Sequence, residues 1–531
     1  LFYQVVINGL SYGDASGTVS TYCSYVTQAI SNNVWKMKGG SIYGEGEEDN
    51  SGYSVSLSGD GNIVAIGDLS NDVRIFEFTG GAWIQKGQNI IGENHGDQFG
   101  RSISLSKDGN TVAVGARYND NNGNRSGKVG VYAWDGTIWA QKGQDIVGEA
   151  AEDLFGETVS LSGDGSTLAA GAPYNDDSGN NAGSVRIYQW DIDAWVKKGS
   201  DFDGEAAGDE MGFHGIAFSN DGNIVALAAW ANDNNGYNSG QVKIFEWDGT
   251  TWNQKGQDIE GENADDGLGR NIAMSFDGSI VAIGANRNDN NGYNSGHCRV
   301  FEWSGSDWVQ KGRSLYGVAE LDRFGTGVAL SRDGSVLAIG ALYHEGPEVN
   351  NVGEVRVFEW IGSDWVQRGQ DLDGVDVRER FGISVSLSDD GNTMAVGAPH
   401  SHGNGYSSGV TRVYKLGTTA SQELESPHPY QINTRLVWDI NIAKDYDGCA
   451  VLSMDPLSST PSSNDAFLRI RLIDGDTTTT IGNRLWFGDK FSEFPETTVH
   501  GDRLDIMFKS YADAEIDYGF KLYISECTDD N

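Results

Sequence analysis

One pentapeptide, Trp-x-x-Lys/Arg-Gly, constrains this chain more than any other feature. It occurs as WKMKG at Trp35, then as WIQKG, WAQKG, WVKKG, WNQKG, WVQKG and WVQRG at Trp83, Trp139, Trp195, Trp252, Trp308 and Trp365. A second marker, Asp-Gly after a Ser-rich stretch, has its Asp at 60, 108, 164, 221, 277, 333 and 390, with spacings of 48, 56, 57, 56, 56 and 57. Two independent markers recur seven times in phase, and such a repeat dictates architecture before any local propensity is weighed. In the unit 155–204, ETVSLS reads as a strand, GDG as a tight hairpin turn and STLAAGA as a second strand. SVRIYQW reads as a third strand and AWVKKGSDF as a fourth. The alternation in VRIYQW marks one face on a core and one nearer solvent. Four short antiparallel strands per unit, seven times over, predict an all-β fold with a seven-bladed β-propeller. The 73 Gly, 8 Pro, 15 Trp, 21 Tyr and 20 Phe suit short strands, tight turns and aromatic rings between sheets.

The ends of the repeat fix its closure. The last unit supplies ISVSLS, TMAVGA and VTRVYKL, and the motif stops at Gly417 with no Trp-x-x-Lys-Gly after it. An unattached copy, WKMKGGSIYGE, stands at 35–45. Residues near 35–43 are therefore expected to supply the outer strand of the seventh blade, which leaves no orphan sheet edge between first and last blades. The expected organisation is an N-terminal arm (1–34), the propeller (35–417), a linker (418–426) and a C-terminal domain (427–531). A start at Leu1, with neither Met nor a signal-peptide pattern, reads as a processed or partial product.

Phe-Gly opens the first strand at Phe99, Phe155, Phe324 and Phe381, and Gly-Ala-Pro closes the second at Gly171-Ala172-Pro173 and Gly397-Ala398-Pro399. These residues resemble FG-GAP repeats, which build the propeller of integrin α subunits and many secreted proteins. The resemblance covers about 35–417 and departs in one respect. The integrin-type calcium loop lies between first and second strands, where this chain has only a minimal Ser-x-Asp-Gly turn. A calcium site carried over to that position is not supported by so short a turn.

Between second and third strands stand YNDNNGNRSG (118–127), YNDDSGNNAG (174–183), ANDNNGYNSG (231–240) and RNDNNGYNSG (287–296). Two readings stay open: a Gly-rich turn in which Asn and Asp tolerate positive φ, and a weak calcium site. The first unit shortens the stretch to DLSND and the sixth replaces it with YHEGPEVNN, which argues against one shared metal site. The seven Asp of the Asp-Gly turns are read as turn residues rather than a carboxylate ring. The seven Trp are expected to pack between blades with the following Lys stem over an aromatic face; sugar stacking is the alternative.

From 427 to 527 the propeller period is gone. ESPHPYQINTRLVWDINIAKDYDG, NDAFLRIRLIDGD and DRLDIMFKSYADAEIDYGFKLYIS resemble, in order, the motifs of a CUB domain, an extracellular β-sandwich. The resemblance implies a calcium site at Asp455, Asp465 and Asp513, with an ion-free acidic rim as the alternative. Cys449 and Cys527 are placed to close one bridge, worth about 4 kcal/mol on the chain-entropy account. Cys298 replaces an inward Val and is expected buried and free, whereas Cys23 has no evident mate. In the arm, LFYQVVI is apolar and strand-like; it either augments a neighbour's sheet, as in self-assembly, or packs on this chain's own propeller.

A net charge of −39 makes nucleic acid and anionic membrane poor partners. No run of about 18 apolar residues offers a membrane span. No HExxH or Gly-x-Ser-x-Gly arrangement stands out among the 8 His. The leading reading is a non-enzymatic extracellular or cell-surface structural or adhesion protein that contacts other proteins or glycans, as one subunit of a larger assembly. A calcium-dependent lectin is the alternative, and a propeller hydrolase or lyase comes third. An enzyme would need non-repeated polar residues converging in the channel. Asn124-Arg125-Ser126 is an N-glycosylation sequon in a loop position.

Overall fold

The structure, a computed structural model, describes residues 33–345 and 351–418, together with the short strands Phe2–Tyr3, Val437–Asp439, Leu452–Asp455, Phe467–Asp474, Thr477–Thr480, Arg503–Lys509 and Leu522–Tyr523. Residues 33–419 form one compact unit; 1–32 and 420–531 belong to another. The first unit is a ring of seven antiparallel sheets. Its blades are numbered here by their Asp-Gly turns, from Asp60 in blade 1 to Asp390 in blade 7.

Blade 3 shows the local logic. Its strands are Val159–Leu161, Thr167–Ala172, Ser184–Asp191 and Ala194–Lys197, from the inside outward. The second strand, TLAAGA, is buried along its whole length. Its small residues let neighbouring sheets approach closely: a Cβ on Gly171 would lie 2.1 Å from the Gly212 carbonyl oxygen of the next blade. The outer strand, expected in one piece, is two. After Lys197 the chain bends through Gly199 at φ +85°, and Phe202–Asp203 resumes pairing with the start of the third strand. The bend matters because it aims the Lys198 side chain at the next blade.

The same stitch runs round the ring. Each indole donates its Nε1–H to the Lys or Arg carbonyl of the preceding blade: Trp83 to Lys38, Trp139 to Lys86, Trp195 to Lys142, Trp252 to Lys198, Trp308 to Lys255, Trp365 to Lys311 and Trp35 to Arg368, at 2.6–2.9 Å. Lys86, for instance, reaches forward to the Gly109 carbonyl and Asn110 of the next Asp-Gly turn, its Nζ 5.3 Å from the Trp134 ring centroid. The aromatic packing of the lysines is thus as expected from sequence. Three turns carry Ser in place of Asn: at Ser166 the Lys142 side chain still reaches the Gly165 carbonyl at 3.0 Å, whereas at Ser279 and Ser335 Lys255 and Lys311 bond Glu246 and Glu302 of their own blades.

At the axis the Ser-x-Asp-Gly turns form a closed backbone circuit. The amides of Gly59, Lys107, Gly163, Asn220, Phe276, Arg332 and Asp389 each donate to the carbonyl of the next, and Asp389 returns to Gly59. Inside each turn the Ser hydroxyl donates to the Asp, as Ser162 does to Asp164 at 2.6 Å, so these aspartates are turn residues. The seventh sheet takes its outermost strand from the other end of the unit: Asn33–Met37 pairs with Val410–Thr418, Trp35 opposite Leu416.

The Asn/Asp/Gly stretches are anchored turns. Asn119 donates to Asp97 at 2.8 Å, and the Arg125 amide donates to Asp120 at 2.7 Å, closing the loop on itself. The blade 4 and 5 loops repeat the second bond, from Asn238 to Asp233 and from Asn294 to Asp289. Cys298 is fully buried and free, and burial pushes its thiol up to about 12.

In the other unit, five strands make one sheet in the order Val437–Asp439, Leu452–Asp455, Arg503–Lys509, Phe467–Asp474, Thr477–Thr480, with one parallel pair. Phe2–Tyr3 pairs antiparallel with Leu522–Tyr523 of the same unit.

Candidate functional site: a cationic mouth on the ring axis

Repetition stops at one place. The residue after the Phe-Gly pair, or after the Ser-Gly, Met-Gly or Leu-Gly pair that replaces it in blades 1, 4 and 5, stands at the start of the inner strand, at the end opposite the Asp-Gly turns. It is Tyr53 in blade 1, Arg101 in blade 2, Glu157 in blade 3, Phe213 in blade 4 and Arg270 in blade 5. The residues following the second strand reach the same end, among them Arg117, Trp230 and Arg287. The repeat fixes where these side chains stand but not what they are.

They form one connected group. Arg101 donates to Glu157 through Nε at 3.0 Å and Nη2 at 2.8 Å, and to the Tyr53 hydroxyl at 2.6 Å. Arg117 takes the other Glu157 oxygen at 2.8 Å and donates to Gln98. Glu157 is buried and saturated by two guanidiniums. Trp230 donates its indole N–H to Glu210 at 2.9 Å, and Arg287 lies over the Trp230 ring at 4.8 Å. Phe213, His214 and Trp230 pack ring to ring, with the Phe213 and His214 centroids 4.1 Å apart. The Arg270 guanidinium has no hydrogen-bond partner among the described residues; burial brings it down to about 10, and the neighbouring Arg101 and Arg287 add to that.

Electrostatically the mouth is positive. The guanidiniums of Arg101, Arg117, Arg270 and Arg287 face the carboxylates of Glu157 and Glu210 within one group. Burial first, and then these four guanidiniums, drive His214 well below the ordinary imidazole value, so the ring is neutral. Burial raises Glu210. His214 and Arg270 are enclosed by protein yet keep some accessible surface, as side chains lining a narrow axial space do. A patch of one sign between low-dielectric walls focuses field and draws ions of the opposite sign.

The far end of the axis differs. Lys107 reaches Asp389 at 3.0 Å, Arg332 reaches the same carboxylate at 3.6 Å, and the Arg332 guanidinium lies 3.5 Å from the Phe276 ring centroid. There two cations share one carboxylate.

Of the residues singled out from sequence, Asn124 lies exposed in the blade 2 loop, with its amide bonded to Glu152. Asp455 ends the described strand Leu452–Asp455. Asp465, Asp513, Cys23, Cys449 and Cys527 lie outside the described residues. Sequence reasoning missed the mouth residues. Their signal was there: aligning the units on the Gly of Phe-Gly, which is Leu268-Gly269 in blade 5, places Arg101, Glu157 and Arg270 in one variable column.

Residues 92–132 and 148–188 match the family described as FG-GAP repeat. The two matches span the first three strands of blades 2 and 3 and stop before the Trp-bearing outer strands. The unit 33–419 is therefore a seven-bladed propeller carrying FG-GAP repeats. No curated protein matches the chain. No described helix is long and apolar enough to cross a membrane.

Proposed function

We propose that this chain is a non-enzymatic, adhesion-type protein of the cell exterior, whose propeller holds an anionic group of a protein or glycan partner at the cationic mouth. The carrying observation is the convergence of non-repeated arginines and aromatics on one end of the axis, with Arg270 unpartnered among the described residues. The loops around that mouth add exposed contact residues, Tyr237, Tyr293 and Tyr406, each more than 60% accessible. Aromatic faces beside cations suit acidic glycans and acidic peptides alike. In this reading the N-terminal outer strand acts as the latch that closes the ring. The C-terminal unit is a CUB-like module that adds a second contact surface with a calcium site at Asp455, Asp465 and Asp513, and the arm contributes to assembly.

A lyase or hydrolase would also gather non-repeated polar residues on the axis. The chemistry at hand favours holding an anion over moving a proton. Glu157 is saturated, Tyr53 is engaged by Arg101, and His214 has lost basicity to its cationic surroundings.

The test is an array of neutral, carboxylated and sulfated glycans with acidic and neutral peptides, probed with and without calcium. Retention of acidic ligands only, weakening with salt, supports the proposal. Equal retention of neutral sugars, or cleavage of any ligand, overturns it.

A further inference from the structure

Blade 6 breaks the repeat in a second, separate way. Three positions meet on the loop-bearing face of each blade: the residue that anchors the loop after the second strand, the first residue of the third strand, and the outer-strand residue paired with it. They read Asn119, Lys128 and Val147 in blade 2, and Asn175, Ser184 and Asp203 in blade 3. Blade 5 has Asn288, His297 and Tyr316. Blade 6 has His344, Glu354 and Asp373. In no other blade do all three positions carry metal-ligating side chains.

The geometry is that of a site. One ligand atom from each of His344, Glu354 and Asp373 lies within 4.8 Å of the others. The His344 Nδ1 stands 3.2 Å from Asp322 Oδ1. Asp322 is itself fixed by the amides of Val318 and Ala319, at 3.0 and 2.8 Å through its second oxygen. A buried carboxylate that holds one imidazole nitrogen orients the ring and leaves Nε2 as ligand, the usual outer-shell arrangement around a metal-bound histidine.

Glu354 supplies the independent observation. It is 3% exposed, and its Oε2 accepts no hydrogen bond from the described residues. The nearby Arg356 Nε, 3.2 Å away, is misaligned and also lacks a hydrogen bond. Arg356 is instead drawn off by the Tyr316 carbonyl at 2.8 Å and the Phe324 ring at 4.2 Å. A carboxylate oxygen buried without a donor is costly, and a cation in the cluster would remove that cost.

We propose that blade 6 binds one divalent first-row transition-metal ion, with Zn²⁺ as the reference ion, through His344 Nε2 and the carboxylates of Glu354 and Asp373. One nitrogen and two carboxylates leave a position for water and suit Zn²⁺ better than Ca²⁺, which takes oxygen ligands alone. The ion ties the third strand and the outer strand to the loop anchor, in the blade whose Asn-anchored loop has been replaced.

The test is equilibrium dialysis of the full chain with Zn²⁺, paired with Co²⁺ absorption and with the Zn²⁺-dependent rise in Tm. Expected are tight Zn²⁺ uptake, visible Co²⁺ ligand-field bands, and a Tm that rises with Zn²⁺. H344N installs the anchor residue of blades 2 to 5, so the ring is expected to fold, as circular dichroism would verify. In H344N and in E354Q, Zn²⁺ affinity falls about 100-fold and the Tm response disappears. Absence of uptake by the wild type, uptake unchanged in either variant, or equal displacement by Ca²⁺ overturns the proposal.

Discussion

The two ends of the ring axis are built from the same seven units and have opposite characters. At the Asp-Gly end, seven near-identical turns join in a backbone circuit, and of the charged residues that vary there, Lys107 and Arg332 both pair with the Asp389 carboxylate. At the Phe-Gly end the corresponding column holds Tyr53, Arg101, Glu157, Phe213 and Arg270, and positive charge is left over. Repeated columns make bonds between blades and set stability. The columns that differ from blade to blade carry recognition, because seven identical residues meeting on an axis could form only a symmetric ring.

This division can be broken most forcefully at the seam. Removing residues 1–45 takes away the outer strand of blade 7, the Trp35 indole bond and the Trp35–Gln370 pair of bonds. The expected outcome is loss of the cooperative thermal transition of the whole ring, whereas removal of 1–30 leaves that transition in place. Retention of a native-like transition without 1–45 would show that six complete blades suffice.

Next come the stitches. Trp195→Ala empties a buried inter-blade position and is expected to cost about 3–5 kcal/mol in chemical denaturation. Trp195→Phe keeps most of the volume but leaves the Lys142 carbonyl without its donor, a loss of about 1–3 kcal/mol. Ligand retention per folded molecule is expected to stay unchanged in both.

The mouth should behave the other way. R270Q together with R287Q is expected to lower retention of acidic ligands about 10-fold or more, with Tm unchanged or raised, since uncompensated like charges are removed. R332Q, at the paired end, is expected to leave retention unchanged. Equal losses from both variants would mean that net charge, not the mouth, attracts the ligand.

The smallest effect concerns acid. Asp60, Asp108, Asp221, Asp277, Asp333 and Asp390 sit below the ordinary carboxylate value. Partial burial pushes each of them up, but the bonds from the turn's Ser and backbone amide outweigh it. A carboxyl depressed on folding contributes stability that is present above its unfolded pKa, and that stability is lost as pH falls through the folded value. Stability should therefore decline below about pH 4. Because these groups are largely exposed, one D277N substitution is expected to flatten the acid limb only slightly, within about 1 kcal/mol.

The blade count and the inter-blade place of the Trp and Lys were legible because each is a local motif whose phase survives folding. The break in the outer strand was not legible, since KGS in AWVKKGSDF reads as strand or bend until the Lys198 target on the next blade is known. The anchoring of the loop was not legible either, because Asp97, which accepts from Asn119, lies 22 residues before it. The mouth was hidden for two reasons. Its residues are about 50 apart in sequence, and a chain of net charge −39 gives no hint of a positive centre. In blade 6 the replaced loop is visible in the sequence but the cluster is not, because Asp373 joins His344 and Glu354 only through strand pairing.

By itself, the sequence determined that seven sheets form, that they share one stitch and one turn, and that these carry their bonds from blade to blade. Periodic side chains encode periodic contacts, which need no knowledge of the ring. Only the tertiary structure decided what the unrepeated residues do. Closing the ring brings the same position of every blade to a common axis, where distant Arg101, Glu157 and Arg270 become neighbours whose charges act together in a space with little water to screen them.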